Sequence, residues 1–176
     1  ASCKHDFAEP DNARNNLKSL PYVEGVASIR GSMTWFGNRE VTDEGGKVLF
    51  TPRCAAFDKD FVPLLGLHIK AGRNFTGERQ FLVNQPYVEK MGWKGSGVGE
   101  IVPNRGTVVG VLAPFCCGVL PADDEPLEIE YGTNLRNVHV RLKEPFTVNL
   151  HRLNNEMKKI YPQEDIEFRS LEQDLE

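Results

Sequence analysis

Residues 58–75 constrain the fold of this chain more than any other stretch. Phe61, Leu64 and Leu65 are spaced as the apolar side of one helical turn, and Gly66 follows at once. A glycine directly behind such a turn takes the left-handed conformation that closes a helix. A brief extended segment comes next, and Gly72 supplies a second turn ahead of Arg73, Asn74 and Phe75. The stretch is a joint: it ends one piece of structure and begins another. Asp58, Asp60 and Arg73 are among its polar members, and the residues around them carry no reactive pattern.

On either side the hydrophobic spacing predicts a mixed α and β chain. A helix is predicted over 11–20, with Ala13, Leu17 and Leu20 on one face and Pro21 as its stop. Strands are predicted over 26–33 and 47–54, separated by turns at Gly37-Asn38 and Gly45-Gly46. Further along come a strand at 80–84, a short helix at 85–91, a glycine-rich turn at 92–99 and an apolar strand at 107–112. Val138, Val140 and Leu142 alternate with His139 and Arg141, which predicts a half-buried strand with His139 facing solvent. Thr147 is the predicted N-cap of a helix reaching Tyr161, with Leu150, Leu153, Met157 and Ile160 as its apolar stripe. Ile166 and Phe168 then mark a closing strand. Strand, helix and strand at the end form a βαβ-type unit to which the opening helix and strands can add. The expectation is an α+β fold of two lobes. Residues 1–55 plus 135–176 build one from both chain ends, and 56–134 form the other, inserted between them.

Composition excludes several classes of function. A chain of 176 residues, 40% hydrophobic and 26% charged, can bury a substantial core. The 25 acidic residues exceed the 21 basic ones, and no basic stripe is visible, so nucleic acid is not an expected partner. The most apolar run, 108–120, is shorter than the ~20 residues a spanning helix needs, and Gly110, Pro114 and Gly118 interrupt it. Residues 1–10 lack the apolar core of a secretory signal.

Reactive constellations are equally thin. Gly95, Gly97 and Gly99 follow a helix and precede no Lys-Ser or Lys-Thr pair, so they are read as a turn and not as a phosphate loop. His5, His68, His139 and His151 are dispersed. Asp123, Asp124, Glu125, Glu128 and Glu130 lack the alternation and glycine of a calcium loop and are read as a solvated acidic loop. Cys3, Cys54, Cys116 and Cys117 fit no zinc spacing and are expected as thiols, although one of the adjacent pair could bridge to Cys54 or Cys3. No cofactor, metal or catalytic residue is expected. Trp35, Phe36 and the apolar loop containing Phe115, Cys116 and Cys117 are the candidate contact surface, since aromatic residues in glycine-punctuated segments are often exposed.

The order of the pieces resembles the periplasmic core domain of MacB/FtsX-type ABC transporter permeases. Asp60-Phe61, Leu65-Gly66-Leu67, Gly72-Arg73 and Phe75 resemble that family's Asp-Phe-Phe, Leu-Gly-Leu, Gly-Arg and Phe signature. Leu20, Pro21, Val23, Val26 and Ile29 resemble its entry after the first helix. Phe81 to Asn84 with Gly92-Trp93, then Gly99 and Ile101, and then Val108, Val109, Gly110 and Val111, follow at matching intervals. Val138, Val140 and Arg141, then Tyr161-Pro162, and finally Phe168 and Leu175, complete the resemblance to the chain's end. Gln85 stands where the family has an acidic residue, and Pro114 to Cys117 replace its Asp-Phe continuation.

The resemblance implies a non-catalytic domain outside the cytoplasmic membrane, on the periplasmic side. Membrane-spanning segments on both sides of this chain, a cytoplasmic ATPase, a second permease copy and a periplasmic protein would be its partners. ATP-driven motion of the transmembrane helices would be passed through it as rigid-body change. The implied role of the signature residues Phe61, Leu65, Gly66, Gly72, Arg73, Phe75, Asn84, Gly92, Trp93, Gly99 and Gly110 is structural. A periplasmic binding or sensor domain capturing a peptide or lipid is the alternative, and a thiol activity at Cys116-Cys117 is the enzymatic one.

Overall fold

β12 (Asn137–Leu142) is the strand on which the chain ends assemble. It pairs antiparallel with β1 (Ser2–Lys4) on one side and with β2 (Val23–Arg30) on the other. The structure, a computed structural model, describes residues 1–30, 36–114, 124–132 and 136–173. Helix α1 (Pro10–Lys18) buries Ala13 and Leu17, and α4 (Phe146–Ile160) buries Leu153 and Met157. Together with Val26, Val140 and Phe168 these side chains form one apolar cluster drawn from both chain ends. Leu153 and Met157 are buried as the spacing predicts, with Leu20 and Leu150 half-buried, whereas Ile160 of the predicted stripe is exposed.

The middle of the chain builds a second block. A short β3 (Gly37–Asn38) and the hairpin of β4 (Val41–Thr42) and β5 (Val48–Phe50) lead into β6 (Arg53–Phe57). The helical turn α2 (Phe61–Leu64) is followed by β7 (Ile69–Gly72), then β8 (Gln80–Asn84) and α3 (Gln85–Met91). After β9 (Ile101–Val102) come β10 (Gly106–Leu112) and β11 (Leu127–Tyr131). β8 and β10 are parallel with α3 between them, a βαβ unit, and both are buried on two faces, which is why they read as unbroken apolar runs. Among the described residues one mixed ten-stranded sheet runs β1-β12-β2-β6-β11-β8-β10-β7, with β3 beside β6 and β9 beside β10. The fold is α+β, a mixed sheet with four helices among the described residues.

The sheet is staggered. β12 follows β2 from Ile29 to Val23, and β11 follows β6 over its whole length. Between these ladders, among the described residues, β2 and β6 share Ile29↔Phe57 and Arg30↔Ala56. These pairs make a narrow step in the described sheet, covered by the cluster of Ile29, Phe57, Phe61 and Ile129. Phe57 and Phe61 stack with centroids 4.1 Å apart there.

Several predicted details are corrected. His139 does not face solvent: it is 5% exposed, because α2 covers that face of β12 and sets Phe61 against the imidazole at 5.4 Å. Helix α4 begins at Phe146, not behind a Thr147 cap, since the Glu144 carboxylate takes the Phe146 amide at 2.9 Å. Gly37-Asn38 is a strand against Arg53 and Cys54 rather than a turn. The closing strand shrinks to a single bridge between Arg169 and Ser2, because Asn154 occupies both backbone groups of Phe168, at 2.8 and 3.0 Å. Glu128 and Glu130 lie on β11 and not in a solvated loop. Residues 1–10, read only as polar, contribute β1.

Candidate functional site

Side chains of β6 and β11 that face each other in register share one side of the sheet. Cys54 and Ala56 accompany Glu128 and Glu130, and on β8 Val83 and Phe81 stand opposite the two glutamates. This side is covered by α3, so Glu128 enters an apolar cluster and is 1% exposed. A carboxylate taken out of water requires charged and hydrogen-bonding partners. Arg105, in the turn between β9 and β10, donates to it through both terminal nitrogens at 3.0 and 2.5 Å, and the Tyr87 hydroxyl donates at 2.9 Å. The guanidinium also lies 4.9 Å from the centre of the Phe81 ring.

Burial, reinforced by the Glu128 charge, pushes the Tyr87 phenol far above its ordinary value. The same two causes raise the Cys54 thiol. Both groups are protonated at neutral pH, and the thiol is a poor nucleophile there. A cavity of about 230 Å³ adjoins Cys54, lined also by Arg30, Phe36, Arg105, Glu128 and Glu130 among others. Phe36 of the candidate contact surface is 5% exposed and packs on Phe57 at 6.2 Å as part of the core. Trp35, Phe115, Cys116 and Cys117, the rest of that candidate surface, lie outside the described residues.

A second polar cluster sits at the narrow step. The Asp58 carboxylate accepts from the Ser28 amide at 2.9 Å, the Asp60 amide at 3.1 Å and Arg14 at 2.5 Å. Arg14 donates to the Ser28 hydroxyl as well, at 2.8 Å. Burial holds the Asp58 carboxyl above the ordinary aspartate value, against the downward pull of Arg14 and the Ser28 amide. A cleft of about 310 Å³ opens beside the pair, with Phe7, Lys59 and Tyr131 on its wall. Neither cluster was visible in the sequence, since their members are 14 to 44 residues apart. The one clue was Glu128 itself, a charge between Leu127 and Ile129.

The predicted signature residues are distributed along the middle block. Phe61 is fully buried, Leu65 caps α2, and Gly66 has φ +65°. Gly72 has φ +77°, and a Cβ there would overlap the Val109 carbonyl oxygen. Arg73 donates to the Asn74 carbonyl at 2.9 Å, and Phe75 packs on Tyr131 at 5.5 Å. Asn84 caps α3 by accepting the Tyr87 amide at 3.2 Å, and it binds the start of β11 through Leu127 and Glu125. Gly92, with φ +70°, closes α3, and Trp93 lies against Tyr87 at 6.0 Å. Gly99 has φ +88°, and Gly110 lies where Leu82 and the Arg73 carbonyl press closest to the backbone. They form a scaffold and do not converge on one point. Among the described residues no group of three or more His, Cys, Asp or Glu could hold a metal ion, and no helix is long and apolar enough to cross a membrane.

No family model matches the chain, and no curated protein sequence matches it. Solved structures do match. The periplasmic region of MacB from Actinobacillus actinomycetemcomitans aligns over 94% of this chain and 85% of its own, with TM-score 0.63 at 15% identity. The chain has the fold of the MacB periplasmic region. A domain of a Porphyromonas gingivalis protein designated a permease shares this MacB-like fold over 93% of this chain and 84% of its own, with TM-score 0.64 at 16% identity. The extracellular domain of the noncanonic ABC-type transporter YknZ from Gram-positive bacteria shares it over 85% and 83%, with TM-score 0.56 at 19% identity. The MacB-like fold thus covers both blocks of the staggered sheet.

Proposed function

We propose that the chain is the extracytoplasmic domain of an ABC-type permease, without catalytic residues of its own, and relays movement of membrane helices to its far end. One observation carries this beyond the likeness of fold. The Ala1 amine donates to the Val140 carbonyl at 2.8 Å, and Ser2 and Arg169 exchange backbone hydrogen bonds at 2.8 and 2.9 Å. The two terminal segments run antiparallel there, so chain continuing outward from either would leave at the same end of the sheet. That end is opposite the β4–β5 hairpin, because β2 and β12 extend one way from the narrow step and β6 and β11 the other. Two neighbouring exits at one end suit insertion between two membrane helices.

Within this reading the domain has two lobes, one of both chain ends and one inserted. The separate apolar clusters and the two-pair step between them support that division. The sequence boundary at residue 55 falls inside β6, whose whole length pairs with β11, so we draw the hinge back to about Arg30. Its partners would be the flanking transmembrane helices, a cytoplasmic ATPase, a second permease copy and an extracytoplasmic protein at the hairpin end.

The test is placement in the cell. In the full-length protein, Ser96→Cys, in an exposed turn of the middle block, should react with a membrane-impermeant maleimide on intact cells, above the unsubstituted background. Reaction only after lysis would sink the proposal, as would flanking sequence without apolar runs of ~20 residues. The alternative, a sensor for a peptide or lipid, draws on the 310 Å³ cleft. That cleft sets charged side chains such as Asp11, Arg14 and Lys59 beside apolar ones such as Phe7, Leu17 and Val138.

A further inference from the structure

The step between the two blocks has few backbone bonds and an unusual concentration of charge. Asp58 is the first residue beyond β6, and its backbone amide donates to the Ser28 carbonyl of β2 at 3.1 Å. Its carboxylate, 6% exposed as a residue, gathers the Ser28 amide and the Arg14 guanidinium. Helix α1, strand β2 and the segment leading into α2 therefore converge on one side chain. Arg14 is not locked in to the same degree: 28% of its side chain is exposed, on the wall of the 310 Å³ cleft. A second acceptor stands ready, since Asp60 lies 3.6 Å from Arg14 and is held meanwhile by Lys18 at 3.4 Å. Lys59 and Asp11 complete the charged wall nearby.

We propose that Arg14 and Asp58 form a releasable latch that sets the angle between the two blocks. Closed, Arg14 ties α1 to Asp58 and Ser28 across the step. Released, it swings towards Asp60 and the cleft, and Asp58 keeps the amides of Ser28 and Asp60, so its carboxylate is never left bare. Two discrete partners for one guanidinium, with open volume to turn in, provide the two-state element that a transmitted motion needs. The sheet does not have to tear, because among the described residues the backbone pairing across the step is confined to Ile29↔Phe57, Arg30↔Ala56 and the Asp58-to-Ser28 bond beside them, and so short a contact can flex. The latch adds a device to the relay proposed above, but its test uses this chain alone. Failure of the latch would leave the relay standing, and failure of the relay would leave the latch.

Spin labels carried by non-natural amino acids at the exposed positions Lys94 and Lys159 report the angle between the blocks. Arg14→Gln should broaden the distance distribution at least twofold, with Arg14→Lys between it and the parent. In hydrogen exchange, peptides covering 26–30 and 54–60 should lose at least tenfold in protection, while those covering β8, β10 and α4 keep theirs. An unchanged distance distribution overturns the latch, and so does loss of protection spread evenly over every peptide. Ser28→Ala, which removes only one of Arg14's acceptors, supplies the milder variant should Arg14→Gln not fold: it must broaden the same distribution or the proposal fails.

Discussion

At the scale of single residues, the two turn glycines of the 58–75 stretch separate conformation from crowding. Gly66 and Gly72 both have positive φ, but nothing lies near a Cβ at Gly66, whereas at Gly72 it would run into the Val109 carbonyl and Val98. Gly66→Ala should cost about 1–2 kcal/mol for the left-handed backbone alone. Gly72→Ala should cost about 3 kcal/mol or more, as the overlap adds to it; urea unfolding of the pair measures the difference. Glu128 calls for a different comparison. Glu128→Ala strands a mostly buried guanidinium and should cost about 3–5 kcal/mol, whereas the double replacement Glu128→Leu with Arg105→Met should cost less than either single change. A double-mutant cycle in urea decides it, and a double variant worse than both singles would refute the account. Asp58 supplies the pH dependence. Burial raises its carboxyl above the ordinary aspartate value of 3.8, so the folded chain holds that proton more tightly than the unfolded one. Its contribution to stability therefore falls as pH rises from 3.8 to the folded-state value, and is level above it. Asp58→Asn removes this slope, so the difference in unfolding free energy between parent and variant should vary with pH only in that acid window.

At the scale of elements, Asn84 is the residue that joins three. It ends β8, caps α3 through the Tyr87 amide, and holds the start of β11 through the Leu127 amide and the Glu125 carbonyl. Asn84→Ala should cost about 2–3 kcal/mol, and Asn84→Asp less, because the carboxylate keeps both amide contacts and loses only the donor to Glu125. Thermal unfolding of the two variants, read in that order, checks it. Elements whose signals are local were legible in the sequence. β8 and α3 fall at their predicted residues, and α1, α2 and β10 within two or three, because spacing, proline and glycine mark them. What failed depended on distant partners. β1 is a strand only because β12 and Arg169 lie beside it, and β11 was hidden by acidic residues whose counter-charges come from Arg105 and Arg39. His139 was read from alternation on its own strand, and the helix turn that buries it lies 75 residues away or more. For the polar clusters the residue types were plain, but their meeting was not, since it is set by the register of β6, β8 and β11 around Glu128 and by that of β2 and β6 around Asp58.

At the scale of the whole molecule, the neighbouring segments at Ser2 and Arg169 permit a circular permutation. Joining them through a short flexible linker and reopening the chain between Gly45 and Gly46, in the exposed turn of the β4–β5 hairpin, should preserve the fold with an unchanged urea m-value. A lower m-value would mean that one block had come undone. The bridge between Ser2 and Arg169 also decides how the molecule bears load. Forces pulling the two ends apart open that antiparallel contact one bond at a time, like a zip, and β1 would peel from β12 in the same manner. Forces running from the ends to the β4–β5 hairpin instead draw the long β2–β12 and β6–β11 ladders along their own length, where many bonds must break together. The domain should therefore be mechanically soft across its base and stiff along the axis of each block, so that a lateral tug splays the terminal strands while a lengthwise push is carried to the step and bends there.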